Sequence, residues 1–421
     1  MKVESRIEEA LPSSPHNAHR RALVIAPLAS DATHLGARRV QYFCRWLIQA
    51  GFATEVLCAD GSVTGASRVI PVGDPLGVWK DPVRGQVAAV ERRRGGTGLG
   101  RRLLVPDPSV VWSAKVALSP IVLRAAKSAS LIITSGPPES PHIAGAILSR
   151  RTGTPHWVDY RDGWIDEPLK SELESCGWRR AAEVALENFV LRSAAIVTVS
   201  SDGWRDALER RHPELSPRLR VLRNPVPSGV MRATSALLPG RRPKLLYMGR
   251  LEGSRQSQCA EPLLELLEYE AASRPGPFEV QFRGGFLPSE LNAIGRFADR
   301  VSPLDWCVRI EPPVSYGKAL QEIAAADGLL CLSNSKNAIP SKLFDYLGAG
   351  RPILCLAAMH GAAWNICSGV PQAWLVDVTK PRSKVGFCNA VKSPVRGLVP
   401  ETLTEVSVAA DFGRLIAEVV K

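Results

Sequence analysis

Two stretches of this chain combine residue types that together can hold a diphosphate. The first, Gly249-Arg250-Leu-Glu-Gly-Ser-Arg255, places two guanidiniums five residues apart on a loop directly after the apolar run Lys244–Met248. The second, from Ser333 to Leu354, reads Ser-Asn-Ser-Lys-Asn-Ala-Ile-Pro-Ser-Lys-Leu-Phe-Asp-Tyr-Leu-Gly-Ala-Gly-Arg-Pro-Ile-Leu. In it a strand leads to a loop, Ile339, Pro340 and Ser341 lead into a helix, Gly348 and Gly350 close that helix, and Pro352 begins the next strand. Amides at a helix start have no carbonyl one turn back and sit at the positive end of the macrodipole, so they form an anion site. Lys342 adds a mobile cation in the first turn, and Asp345, one turn after Ser341, offers a carboxylate that can accept both hydroxyls of a ribose. A diphosphate leaving group needs its charge neutralised, by a metal or by fixed cations. No two aspartates stand two residues apart, so a D-x-D metal clamp is absent and the cations are expected to act without a metal.

The elements around these residues read as alternating strands and helices. Arg21–Pro27 is a short apolar run, a polar loop ends at Gly36, an amphipathic segment follows from Ala37 to Gln49, and Phe52–Cys58 is a second strand. This β-loop-α-β unit opens a doubly wound parallel sheet. Leu131–Thr134, His156–Asp159 and Ala195–Val199 continue it. Between Arg223 and Lys244 the chain is rich in proline and glycine, as inter-domain segments are. Strands then resume at Lys244–Met248, Phe278–Phe282, Val308–Ile310, Gly328–Leu332 and Pro352–Leu356. Gly284, just past the second of these, joins Gly249 among the expected nucleotide-binding positions. The expected organisation is a flexible segment 1–20, a Rossmann-like domain 21–225, a linker 226–243, a second Rossmann-like domain 244–404, and a helix 405–421 crossing back to the first domain.

Bulk properties agree with two cores. The chain has 421 residues, 45% of them apolar, more than one core accommodates. Its start carries Glu4, Glu8 and Glu9 with no apolar h-region, and no apolar stretch is long and uncharged enough to span a bilayer, so a cytoplasmic location is expected. Nine cysteines without a C-x-x-C pair read as reduced core thiols. The net charge is +12, and Arg84 to Lys127 holds nine cations against Glu91 and Asp107. Such a patch suits a phospholipid surface, a lipid diphosphate or nucleic acid, the last disfavoured because no binding module accompanies it. With Trp112 nearby, the patch is expected to rest on the inner membrane face.

Motifs in the first half complete the pattern. Thr134-Ser-Gly-Pro-Pro-Glu-Ser-Pro-His142 precedes Gly153-Thr-Pro-His-Trp-Val-Asp-Tyr-Arg-Asp-Gly-Trp164, and both, like the segment at Ile339, resemble signatures of retaining family-four glycosyltransferases of the GT-B fold. That resemblance implies two facing Rossmann-like domains with a cleft between them, 21–225 binding the acceptor and 244–404 the nucleotide sugar. It implies diphosphate binding by Arg250 and Arg255, ribose binding by Asp345, and an approach of the first loop, at Gly36 and Arg38, to the donor phosphates and acceptor. Departures from the pattern are Asp345 in place of Glu, Asn337 in place of the first Glu of the E-x7-E pair, and Leu35-Gly36 in place of Gly-Gly.

His142 and Asp162 are expected on loops after strands of the first domain, able to contact the transferred sugar or the acceptor; Arg161 and Asp162 can equally form a local salt bridge. The implied reaction is transfer of a sugar, with retention, from a UDP- or GDP-linked donor to a sugar or lipid-linked acceptor, by front-face departure, with no cofactor beyond the donor itself. Competing readings are an inactive binding protein of the same fold, supported by Asn337, and an NAD-dependent oxidoreductase, which Asp60 favours but the missing G-x-G-x-x-G after Pro27 opposes.

Overall fold

The computed structural model describes residues 20–29, 35–59, 63, 65–77, 104–166, 177–229, 240–251, 260–274, 276–383, 386–392 and 397–420. The chain divides into two compact units, one of residues 1–223 with 406–421 and the other of residues 224–405. Arg255 and Asp60, most of the proline-rich linker, and six cations of the basic stretch (Arg84, Arg92, Arg93, Arg94, Arg101 and Arg102) lie outside the described residues.

The first unit holds a parallel seven-stranded sheet of β1 (Arg21–Ile25), β2 (Ala53–Cys58), β3 (Arg68–Pro71), β4 (Leu131–Gly136), β5 (His156–Tyr160), β6 (Ile196–Val199) and β7 (Leu219–Val221), in the order 3-2-1-4-5-6-7. The period-two alternation of β1 sends Ala22 and Val24 to one face and Leu23 and Ile25 to the other, and all four are buried. On the first face lie helix α1 (Leu35–Gln49) and the C-terminal helix Glu405–Val419, whose Phe412 stacks on Phe43 at 5.0 Å and on Trp157 at 4.9 Å. The opposite face is covered by α2 (Val110–Leu118), α3 (Pro120–Ser128) and α4 (Ser140–Thr152).

The second unit holds a parallel six-stranded sheet of β8 (Lys244–Met248), β9 (Phe278–Arg283), β10 (Trp306–Glu311), β11 (Gly328–Ser333), β12 (Ile353–Ala357) and β13 (Ala373–Asp377), in the order 10-9-8-11-12-13. Here too apolar residues alternate between two buried faces, with Leu245 and Tyr247 in one cluster and Leu246 in the other. In both sheets the order reverses beside the first strand, at the β1/β4 and β8/β11 junctions. Ligands of open α/β sheets bind outside the carboxyl ends of strands at such a switch point. Strands β3, β7 and β13 go beyond the sequence expectation. They have four, three and five residues at or near sheet edges, with mixed burial, so they lack the continuous apolar run that marks a central strand.

Candidate functional site

In the second unit, the chain leaves β8 through a tightly constrained turn. Gly249 adopts φ +96, a left-handed conformation that favours glycine, and its N–H donates to the Arg283 carbonyl at 2.7 Å. A side chain on Gly284 would place its Cβ 2.5 Å from the Gly249 carbonyl oxygen, so the two glycines let two backbones touch. The Tyr247 hydroxyl donates to the Arg250 carbonyl at 2.8 Å. The fully buried Glu290 accepts the Leu251 N–H at 3.0 Å and the Leu287 N–H at 2.6 Å. Arg250, half-buried, therefore sits on a turn anchored at both ends, at the carboxyl end of β8. Gly284→Ala is expected to displace this turn and lower nucleotide binding by about tenfold or more, since the group it meets is backbone and cannot swing aside. Calorimetric titration with UDP or GDP checks it, and unchanged affinity would show that the close approach is dispensable.

The helix after β11, α5 (Lys342–Ala349), reaches the same turn. Lys342 Nζ donates to the Met248 carbonyl at 2.9 Å, and the Met248 N–H donates to the Tyr346 hydroxyl at 3.0 Å. One face of α5 thus binds both backbone groups of the last β8 residue. This corrects the expectation of a mobile Lys342. The ammonium is held against that carbonyl and over the Tyr247 ring, 3.5 Å from its centroid, and burial lowers its pKa to about 8. Pro340 and Ser341 precede the helix as expected, their carbonyls accepting the Leu343 and Phe344 amides, while Ser335 Oγ accepts the Asn337 and Ala338 amides in the approaching loop. Ile339, Pro340 and Ser341 are each partly exposed there, with the first amides of α5 directed back along its axis. Asp345 is 5% exposed, and its Oδ1 accepts the Tyr316 hydroxyl at 2.8 Å, which sets the carboxylate's orientation.

The first unit gathers a different set at the carboxyl ends of β1, β4 and β5. Gly36 lies in the first turn of α1, where a Cβ would fall 2.3 Å from Arg161 Nη1. Arg161 donates from Nε to the Gly136 carbonyl at 3.1 Å and from Nη2 to the Pro137 carbonyl. With Ala26, Pro27, Ser135 and Pro137, Arg161 and Gly36 line one pocket. Asp162 opens instead on a neighbouring pocket with Trp204, Asp166 and Arg211.

His142 is not on a loop. It falls in the first turn of α4 and is fully buried, because the helix begins directly after the Pro137-Pro138 turn. Its Nδ1 is 2.7 Å from Thr134 Oγ1, which also meets His156 Nε2 at 2.8 Å. Burial lowers the His156 pKa to about 3, so that ring is neutral. His142 therefore supports the end of β4 from within the core in this structure, and does not reach outward toward a substrate.

Residues 36–226 match the glycosyl transferase 4-like domain. No curated protein matches the chain in sequence. Among solved structures, sucrose-phosphate synthase from Thermosynechococcus elongatus superposes with a TM-score of 0.59 at 15% identity, over 95% of this chain and 94% of that one. Anabaena Alr3699/HepE in complex with UDP and glucose gives 0.55 at 14% identity, over 95% and 97%. An α,α-trehalose-phosphate synthase (UDP-forming) from Burkholderia vietnamiensis gives 0.52 at 13% identity, over 95% and 96%. The fold is that of GT-B glycosyltransferases, with two Rossmann-like domains.

The glycosyl transferase 4-like match contains Gly36, His142, Arg161 and Asp162, whereas Arg250 and α5 lie beyond it. Tyr346, Glu290 and Tyr316 go beyond the sequence expectation. Tyr346 was within reach, being four residues from Lys342 and hence on the same helix face. Glu290 carried a fainter signal, an acid at the third position of a helix opened by Pro288. Tyr316 had none, because its contact with Asp345 spans 29 residues and depends on the packing of two helices.

Proposed function

We propose that this chain is a retaining, metal-independent glycosyltransferase that moves a sugar from a UDP- or GDP-linked donor to a sugar or lipid-linked acceptor. One observation carries the reading: Lys342 and Tyr346 bind the Met248 backbone, so the Arg250 turn and the start of α5 are built as one structure at the switch point of the second sheet. The glycosyl transferase 4-like match and the UDP-bound structural neighbour support it.

In this reading Arg250, with Arg255 from outside the described residues, neutralises the diphosphate as the glycosidic bond breaks. Amides at the start of α5 add the helix dipole, and Asp345, oriented by Tyr316, accepts a ribose hydroxyl. Lys342 acts through the turn it holds. The leaving phosphate oxygen accepts the acceptor proton on the face from which it departs, so no second carboxylate is required for retention. Mass spectrometry of the protein incubated with a panel of UDP- and GDP-sugars and a lipid extract tests the reading. Nucleotide binding without any transferred sugar would leave only a binding protein of this fold.

The product class we favour is a cell-surface polysaccharide or glycolipid precursor, made at a membrane. No helix among the described residues is long and apolar enough to cross one. Trp112 cannot serve as the membrane contact expected from the sequence: it is 1% exposed and donates from Nε1 to the Val72 carbonyl at 2.7 Å. The exposed apolar residues here are Leu118 and Ile121, at 75% and 55%, where α2 meets α3 and where Lys115, Arg124 and Lys127 have no acidic residue among them. Apolar tips ringed by cations suit an anionic bilayer. Replacing Leu118 and Ile121 by serine is expected to weaken sedimentation with phosphatidylglycerol vesicles at low salt by about tenfold or more. Equal sedimentation of variant and parent would remove this surface from consideration.

A further inference from the structure

Two turns of the second unit carry positive charge that the proposed reaction has not used. After β12 the chain turns through Met359 and His360, and after β11 through Ser335 and Lys336. Backbone groups join these turns: the Ala358 N–H donates to the Ser333 carbonyl at 3.0 Å, and the Ala362 N–H to the Lys336 carbonyl at 2.8 Å. A Cβ on Gly361 would fall 3.2 Å from the Ser335 carbonyl oxygen, so glycine lets the two backbones meet. His360 holds φ +58, a left-handed conformation that a side chain disfavours. The other non-glycine residue with positive φ among those described, Asp305, closes the short 3-10 helix Ser302–Leu304, whereas His360 precedes a helix and closes none. Lys336 and His360 are both exposed, and among the described residues neither side chain has a hydrogen-bond or ion-pair partner. No acidic residue occurs in Asn334–Lys342 or in Ala358–Cys367. Asp377, at the end of the neighbouring β13, accepts the Thr379 N–H of its own turn at 3.0 Å.

The order of the sheet sets which part of a donor these turns meet. Asp345, the expected ribose ligand, is bonded to Tyr316 at the start of the helix after β10, and β10 lies on the β8 side of β11. β12 lies on the other side. With the diphosphate at the start of α5 between them, the sugar at its far end is directed to the β12 turn.

We propose that Lys336 and His360 select a donor sugar that carries a carboxylate, a nucleotide-linked hexuronic acid. Lysine supplies charge and the imidazole an N–H donor, and charge-assisted contacts of this kind favour a carboxylate over the hydroxymethyl group of a neutral hexose. An exposed side chain on strained backbone adds little to folding, which is the pattern of a residue that serves binding. The assignment rests on the glycosyltransferase reading and goes beyond it in naming the class of sugar.

Calorimetric titration of the full chain compares UDP-glucuronate with UDP-glucose, GDP-mannuronate with GDP-mannose, and UDP and GDP alone. The parent is expected to bind one hexuronate at least about tenfold more tightly than the matching hexose. Lys336→Gln and His360→Gly should each reduce that preference by about threefold or more, and the double variant should abolish it. Affinity for the bare nucleotide should stay unchanged, and neither variant should melt lower than the parent, since glycine adopts φ +58 without strain. A parent that binds a nucleotide but shows no preference for hexuronate overturns the proposal and leaves the glycosyltransferase reading standing; so does a preference that survives both substitutions. A parent that binds no nucleotide and transfers no sugar overturns both.

Discussion

Arg250→Ala is expected to lower sugar transfer by about 10²–10³-fold, the loss that follows removal of one fixed donor to a developing oxyanion, with the melting temperature unchanged. The fold should tolerate the change because backbone groups anchor the turn at both ends. Tyr247 bonds the Arg250 carbonyl, Glu290 the Leu251 amide, and Arg283 the Gly249 amide. Kinetics separate two ways of losing activity. A fall in kcat at constant KM means that Arg250 acts on charge that develops only as the bond breaks, whereas a rise in KM alone means that it grips donor and transition state equally. Arg250→Lys keeps the charge but not the planar fork and should recover part of the loss. Near-normal turnover in Arg250→Ala would exclude the residue from the chemistry.

Arg39→Leu is expected to cost about 3–5 kcal/mol, the penalty for leaving a buried carboxylate without its partner. Arg39 is 3% exposed and Asp159 is fully buried, and the guanidinium also donates to the Leu222 carbonyl at 2.8 Å. The pair thus joins α1, β5 and the segment after β7. Thermal melting followed by tryptophan fluorescence reports it, because Trp157 lies in the same strand as Asp159. Removing both charges, with Asp159→Leu added, should restore only part of the stability: no buried charge is then left unpaired, but the Thr198 and Ser135 hydroxyls and the Leu222 carbonyl each lose a partner; no recovery would show that the pair is a minor contributor. The sign with pH is also defined. Burial by itself would raise the Asp159 pKa, but Arg39, Thr198 and Ser135 more than reverse this and hold it below the ordinary 3.8. A carboxyl with a depressed folded pKa contributes fully above its unfolded value and loses that contribution as pH falls through the folded one. The parent should therefore keep this increment at neutral pH and lose it only below about pH 4, and Arg39→Leu should flatten that acid limb.

The amino-acid order was sufficient for the central strands of the two sheets and for the segment around Ile339, because both rest on local patterns, but not for β3, β7 and β13. Central strands such as β4 and β11 are buried along their whole length and announce themselves as short apolar runs. The helix start after Pro340 follows from rules acting within a few residues, and the left-handed Gly350, φ +66, closes that helix as expected. What the side chains do there depended on the tertiary structure. Lys342 reads as an outward cation from its neighbours in sequence, but Met248, 94 residues away, supplies a carbonyl and Tyr247 a ring, so the ammonium turns inward. His142 reads as a loop residue until α4 is seen to begin before it, and Trp112 as a membrane contact until the Val72 carbonyl takes its N–H. Arg161 shows the same division most clearly. Its neighbour Asp162 invited a salt bridge, and only the fold reveals that Arg39 has already neutralised Asp159 and that Gly36 has made room for the guanidinium. Secondary structure follows from contacts spanning a few residues, which a sequence displays directly. The charge state and direction of a buried side chain follow from partners that only the folded chain brings within 3 Å.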